Sequence, residues 1–347
     1  MWQLTGPLTA KSRSFLKRMQ SPRSSRTSQK EISFDPHNRS GDRDNSHIRR
    51  SIMTSKVAIL GASGQVGKTL QVGFAQRNPA QPILALGRDY DVTDHRSWRD
   101  QLAAFKPDVI INAAAFTAVD ACEQEPDRAF AVNRDAVAAL GQWCADSDTA
   151  LIHISTDYVF GDDGLAPKTE KASVGPLNVY GASKEAGESA LRAVLPRHMI
   201  VRTSWVYGPQ AGNFFATIMR LAQTRDHIKV VEDEISCPTF VSDLSDALIS
   251  LSDSAMSGSA EFGTFHCAGA QGLSRFEFAQ AIMMARADLG LKTAEVEPTT
   301  QALFSAPARR PRDSRLDGSA LERAYGIKLP GLSARLPHLI SELARQI

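Results

Sequence analysis

Residues 56–70, "KVAILGASGQVGKTL", hold a short apolar run followed by three evenly spaced glycines. The run "KVAIL" is rich in strand-forming residues, and after the glycines apolar side chains recur at helical spacing through "QVGFAQ". The order is therefore strand, glycine loop, helix. Gly61, Gly64 and Gly67 stand in a G-x-x-G-x-x-G pattern. In such a loop the first glycine permits a tight turn, the second lets backbone approach a pyrophosphate, and the third packs helix against strand. The free N–H groups and positive dipole end of the helix then face the phosphates. A dinucleotide-binding turn is expected, where a lone glycine triplet would be only a turn.

Outward from this loop, strand and helix alternate. A second strand, "PILALG" (82–87), ends at Gly87-Arg88 with no carboxylate placed to hold ribose hydroxyls. Arg88 suits a 2′-phosphate instead, which favours NADPH, with NADH as the alternative. Asp91 and Val92 follow, a pair suited to bonding and packing against adenine. "DVIINAAAF" (108–116) and "ALIHISTDYVF" (150–160) read as the third and fourth strands, with a helical stretch, "EPDRAFAVNRDAVAALGQWCADS" (125–147), between them. Such alternation predicts an α/β, Rossmann-like, doubly wound parallel sheet with ligands at the carboxyl ends of its strands. Those ends carry Asn112, Ala113, Ala114, Ala115 and Thr117 on one strand, and Ser155, Thr156 and Asp157 on the next. The small side chains of "NAAAFT" leave room for a nicotinamide ribose, or else serve plain close packing.

The stretch "PLNVYGASKEAGE" (176–188) places Tyr180 four residues before Lys184, so the two share one helix face. A free phenol titrates near ~10 and is a weak acid at neutral pH. A lysine ammonium beside it favours the phenolate and brings the phenol toward working pH. With Thr156 to hold the same carbonyl oxygen, the set suits carbonyl reduction by hydride, with Tyr180 protonating the developing alkoxide and Lys184 also gripping the nicotinamide ribose. His153, inside a strand, reads as a hydrogen-bonded core residue.

The segments "GASGQVG", "NAAAFTAVDACEQEPDRAFAVN", "STDYVFGDDG", "PLNVYGASKEAGE", "RTSWVYG", "CPTFVSDL" and "RRPRDSRLD" together resemble the extended short-chain dehydrogenase/reductase family, over residues 56–347. The resemblance is to the branch that reduces the C4 ketone of dTDP-4-dehydro-L-rhamnose to give dTDP-L-rhamnose for surface polysaccharides. It implies that Thr156, Tyr180 and Lys184 are catalytic, that Gly64, Gln65, Val66, Asp91, Val92, Ala115, Phe116 and Thr117 contact cofactor, and that Trp205 lines the sugar-nucleotide site. Family members that act as dehydratases carry an Asp-Glu pair after the threonine; here Thr156 is followed by Asp157 and Tyr158, which leaves simple reduction. Members with magnesium at a dimer contact carry a glutamate after the glycine loop. This chain has Thr69 there, so no metal site is expected, while a homodimer remains compatible. Two further readings stay open: reduction or epimerisation of another nucleotide-linked keto sugar, and a non-catalytic regulatory subunit that binds dinucleotide.

The second half has a different character. "GNFFATIMRLAQ" (212–223) reads as an amphipathic helix, and "KVVEDEISCPTFVSDLSDALISL" (229–251) as strand, loop and helix. Proline-rich "FSAPARRPRDSRLD" (304–317) reads as a loop over the site mouth, whose Arg309, Arg310, Arg312 and Arg315 could meet a diphosphate, Arg310 foremost. Trp205 at a strand end could stack on a pyranose or base, and Asp157 joins Thr156 on the substrate side. The expected division is 53–207 for dinucleotide and 208–347 mainly for substrate, with some segments returning to the first part.

Residues 1–52 hold eleven Lys/Arg against four Asp/Glu within a chain of net charge +2, so the rest is mildly acidic and nucleic-acid binding is not expected. This Ser/Arg-rich tail is expected to be disordered. It reads as a targeting segment or, preferably, as an extension upstream of a true start at Met53, because "MTSKVAILGASG" puts the first strand right after its methionine. The longest apolar runs are far shorter than the ~20 residues of a membrane helix. Cys122, Cys144, Cys237 and Cys267 show no metal-ligand spacing and suggest reduced thiols in the cytoplasm.

Overall fold

The computed structural model describes residues 55–164, 166–304 and 306–345, so the tail expected to be disordered lies outside the described residues. The described residues fall within one compact unit, Ser46–Ile347. The first strand, β1 (Val57–Leu60), is followed by α1 (Gln65–Arg77), β2 (Ile83–Leu86), α2 (His95–Phe105) and β3 (Val109–Asn112). Two short helices, α3 (Val119–Gln124) and α4 (Pro126–Phe130), lead through a π-helical turn at Ala131–Asp135 into α5 (Ala136–Ser147) and β4 (Ala150–Thr156). Next come α6 (Val179–Val194), β5 (His198–Thr203), β6 (Val206–Tyr207), α7 (Phe214–Thr224), β7 (His227–Val231), β8 (Ile235–Ser236) and β9 (Thr239–Phe240). The chain continues with α8 (Val241–Ser257), β10 (Gly263–His266), β11 (Leu273–Ser274), α9 (Arg275–Asp288), β12 (Glu295–Thr299), α10 (Ser319–Tyr325) and α11 (Leu332–Ala344).

Six strands form the central sheet in the order β10-β5-β4-β3-β1-β2, every pair parallel. Side chains alternate across a strand, so Val57, Ile59, Val109, Ile111, Ile152, Met199 and Val201 face one side. There they meet Leu70 and Phe74 of α1 and Leu244, Leu248 and Leu251 of α8. Ala58, Leu60, Ile110, Leu151 and Ile200 face the other side, against Trp98 and Leu102 of α2, Val137 and Leu140 of α5, and Leu191 of α6. Both faces are covered, which is why these strands read as unbroken apolar runs. The expected doubly wound architecture is present, and α8 and β10 return to it from beyond residue 208.

Chain order reverses between β1 and β3: β2 lies on one edge of β1 and β3 on the other. Such a switch opens a crevice at the carboxyl ends of the strands. β3 is shorter than the sequence suggested, because after Asn112 the backbone turns and the Ala114 N–H donates to Asn112 Oδ1 at 3.1 Å. The single helix expected over 125–147 is broken by the π turn, whose Asn133 is fully buried. Away from the sheet, β7 pairs with β12, β8 with β11 and β6 with β9, around rings of Tyr207, Phe215, Phe240 and Phe278. Among the described residues no helix is long and apolar enough to cross a membrane.

Phe74 is 1% exposed between α1 and the sheet. Truncating it to alanine is expected to lower the unfolding free energy in urea by about 3–5 kcal/mol, the lost transfer energy plus a cavity. A loss below about 1 kcal/mol would show that α1 does not carry the packing described.

Candidate active site

The glycine loop is built by exclusion. Gly61 has φ 76°, and a Cβ there would lie 2.5 Å from the Ala114 nitrogen, so only glycine lets the end of β1 touch the chain leaving β3. A Cβ on Gly67 would fall 2.3 Å from Gly61 O and 2.6 Å from Ala62 Cα, which seats the helix directly on the loop. Gly64 differs: it is the exposed N-cap of α1, it provides no side-chain cap, and the first turn carries no acidic residue. The orphan N–H groups of that turn and the positive dipole end are left for an anion.

The surrounding residues complete a groove. Ser63 Oγ accepts from the Arg88 N–H at 3.1 Å, tying the loop to the end of β2, while the Arg88 side chain is exposed. The Thr93 N–H and hydroxyl donate to Asp91 Oδ1 at 2.9 and 2.8 Å and hold that carboxyl below its usual range. Val92 packs into the layer around Trp98. Gln65 Oε1 accepts from Asn213 at 2.8 Å, and Val66 packs partly on the core. Ala113, Ala115 and Phe116 are half-buried and Thr117 is exposed. Asn133 grips the Phe116 backbone from both sides, accepting from its N–H at 2.9 Å and donating to its carbonyl at 3.1 Å. Small side chains, an open helix N-terminus and a loose arginine at the β2 end fit a dinucleotide diphosphate and its ribose phosphate.

Beside this groove α6 is pressed against the end of β4. Asn178 caps it, accepting from the Gly181 N–H at 2.8 Å. Glycine is required at two contacts: a Cβ on Gly181 would meet Tyr158 O at 2.1 Å, and one on Gly187 would meet Asn133 O at 2.0 Å. Tyr180 and Lys184, one turn apart, are consequently buried, at 9% and 1% exposure. Lys184 Nζ donates to the Ile154 carbonyl at 2.7 Å and stands 3.1 Å from His153 Nε2. Burial lowers the Lys184 ammonium to about 8, against a smaller opposing pull from Glu188.

The phenol departs from the simplest sequence reading. Burial pushes Tyr180 well above a free phenol; a hydrogen bond with Thr156 opposes this, and Asp157, Tyr158 and Cys122 add to the rise. Lys184 is on the same helix face, but its nitrogen is committed to β4 rather than to lowering the phenol. Thr156 Oγ1 accepts from the Tyr158 N–H at 3.2 Å and lies 3.2 Å from Asp157 Oδ1, to which it can donate. Asp157, assigned to substrate from the sequence, is 2% exposed, and its Oδ2 accepts from Ser236 at 2.8 Å and Ser314 at 2.5 Å. Burial raises its carboxyl to about 6. Its carboxylate is occupied in pinning the second half of the chain to the end of β4.

A cleft of about 740 Å³ is lined by Arg309, Arg310, Arg312, Phe214, Glu234 and Arg275 among others, and Thr156, Asp157, Tyr180, Lys184 and Trp205 are not in that lining. Arg310 pairs with Asp120 at 2.8 Å, and Arg309 with Asp162 at 2.6 Å. Arg315, grouped with them from the sequence, turns to Asp313 at 2.7 Å and is not part of the lining. Trp205 has φ 41°, a left-handed backbone rare for a large side chain. Its ring lies under the Arg275 guanidinium at 3.6 Å, and Phe214 flanks the same guanidinium at 4.8 Å. Arg275 and its partner Glu234, 3.7 Å away, were not singled out from the sequence. The legible signal was Ser274-x-x-Glu277, a capping box that places Arg275 at the start of α9.

Comparison with known proteins identifies the family. The family profile described as RmlD substrate binding domain matches residues 55–345. The chain is 39% identical over 278 residues to a dTDP-4-dehydrorhamnose reductase of Sinorhizobium fredii, covering 79% of this chain and 93% of the relative. It resembles the crystal structure of a dTDP-4-dehydrorhamnose reductase from Clostridium acetobutylicum with TM-score 0.77 and 33% identity, over 83% of this chain and 99% of that one. The enzyme of that name from Bacillus anthracis, solved in complex with NADP, matches with TM-score 0.76 and 32% identity over the same shares.

A buried lysine whose folded value lies near 8, below its ordinary 10.5, binds fewer protons folded than unfolded between those values. Its penalty is therefore relieved as pH rises through that window. Relative to Lys184→Met, the wild-type chain should gain up to about 3 kcal/mol in urea unfolding across it. A constant difference between the two proteins would mean that Lys184 is not buried as charge.

Proposed function

The chain belongs to the RmlD substrate-binding domain family, the family of the dTDP-4-dehydrorhamnose reductases above, and from that premise we propose that it reduces the C4 ketone of dTDP-4-dehydro-L-rhamnose to dTDP-L-rhamnose. The observation that carries this reading is the convergence of Thr156, Tyr180 and Lys184 at the end of β4. NADPH held in the groove supplies the hydride.

The protein's own groups do the rest. The Thr156 hydroxyl and the Tyr180 phenol hydrogen-bond the ketone oxygen, and Tyr180 gives its proton as negative charge develops there. A phenol raised by burial stays protonated until that charge forms, and the developing alkoxide is the stronger base. Lys184, one turn along α6, grips the nicotinamide ribose. Asp157 keeps Thr156 in place through Ser236 and Ser314. Arg310, with Arg309 and Arg312, receives the nucleotide diphosphate in the cleft, and Trp205 closes the sugar end behind Arg275. Gly61, Gly64, Gly67 and the 112–117 chain take the dinucleotide, with Arg88 on its 2′-phosphate. Residues 53–207 thus mainly bind cofactor and 208–347 mainly substrate.

NADPH oxidation by the purified protein should be fastest with dTDP-4-dehydro-L-rhamnose and slower with GDP- or UDP-linked keto sugars. Turnover of none of them would overturn the reading. Tyr180→Phe should lower kcat by ~10² or more with NADPH affinity retained. Arg310→Ala should raise the KM for the sugar nucleotide several-fold while leaving that for NADPH nearly unchanged, and the reverse pattern would remove Arg310 from the diphosphate site.

A further inference from the structure

His153 is fully buried in β4 between Asn112 and Lys184. Asn112 Nδ2 lies 3.1 Å from His153 Nδ1. The other end of that amide is fixed, because Asn112 Oδ1 accepts the Ala114 N–H at 3.1 Å, so the ring is met by the amide nitrogen. On the far side Lys184 Nζ lies 3.1 Å from His153 Nε2. Burial, and then Lys184, push His153 well below the ordinary histidine range, so the ring is neutral and carries one N–H. If Nδ1 accepts from Asn112, the ring proton sits on Nε2 and faces Lys184. An ammonium has three donors and no acceptor, so it would oppose that proton. A neutral amine relieves the conflict, accepting from Nε2–H while donating to the Ile154 carbonyl. If instead an ammonium donates to Nε2, the ring proton moves to Nδ1 and opposes the Asn112 amide.

We propose that His153 is a positioning residue that couples the proton on Lys184 to the 112–115 chain: the amine form of Lys184 goes with an intact Asn112–His153 hydrogen bond, and the ammonium form requires that bond to open. The balance is one proton. Lys184 takes the Nε2 proton, Nδ1 takes one from water, and the Asn112 amide must turn away. Since Asn112 Oδ1 also holds Ala114, displacement of this chain at the groove wall and charging of Lys184 favour each other. The lowered lysine noted above agrees with this, as does the set of groups around it. Glu188 faces Lys184 from one turn along α6 and is itself tied to Arg202 of β5, at 2.6 Å, and to Arg192. From β4 come His153 and Ser155, the latter donating to Glu188 at 2.5 Å. The segments 119–147 present Cys122 toward Tyr180 and the Asn133 amide toward Ser183, the latter at 2.9 Å. The hydrogen-bond order follows from the contacts of a neutral, buried His153, whereas its meaning for turnover rests on the reductase reading.

The test is nitrogen NMR of histidine-labelled, cofactor-free protein on the alkaline side of the Lys184 transition. Expected is a bare Nδ1 and a protonated Nε2 at His153; the opposite tautomer overturns the proposal, whether or not the protein turns over sugar. In Asn112→Asp the carboxylate can only accept, so the tautomer should invert, and the alkaline limb of kcat/KM against pH should move up by about one unit or more. An unchanged tautomer in that variant also overturns the proposal. The wild-type spectrum decides the matter if the variant does not fold, and a correct tautomer without turnover would count against the reductase reading alone.

Discussion

The whole site depends on a missing atom at Gly61. Its absence lets the end of β1 lie against the backbone of Ala113 and Ala114, and that contact fixes where the crevice opens when the strand order reverses. Every later placement follows from it. The 112–117 chain is pinned at one end by Gly61 and at Phe116 by Asn133, beside the ends of β1 and β4. No side chain at position 61 could be accommodated by rotamer change, since the obstruction is backbone and φ is positive.

The second constraint is the burial of α6. A lysine and a phenol at 1% and 9% exposure are held away from water, which favours their neutral forms, and the fold supplies partners instead of water. Tyr180, Lys184 and Glu188 lie on one seam at successive turns. Glu188 is neutralised by the buried Arg202, so the cation at position 184 is not consumed by its own helix neighbour. The lysine meets strand β4, and its charge becomes a property of the site that surrounding hydrogen bonds can set.

Much of this was legible in the chain itself. The alternation of apolar runs and helical periods specified the sheet, and the glycine spacing located the groove, because both are local consequences of backbone geometry. Three things were not legible. The π turn at 131–135 leaves no signature in a stretch of ordinary helix formers, yet it is what brings Asn133 to Phe116 and Ser183. Arg275 stands in a helix start far along the chain, and only folding places its guanidinium on Trp205. Asp157 looked available because it follows Thr156 directly, whereas the serines that occupy its carboxylate come from positions 236 and 314. The last two are long-range contacts, which residue type and local spacing do not encode.

The seam on α6 also sets how the molecule can diverge. Each residue of a helix turns by about 100°, so inserting or deleting one position between Tyr180 and Glu188 would swing one end of the seam out of the crevice. Gly181 and Gly187, which have no room for a side chain, bracket the same segment. Length is thus frozen from 180 to 188, and the preceding segment is tied through Asp162 to Arg309 and through Lys168 to Arg315, so a loop change there is cheap only around the exposed Ser173 and Val174. Change in related chains should accumulate there and along the cleft rim, leaving the nine-residue seam at constant length.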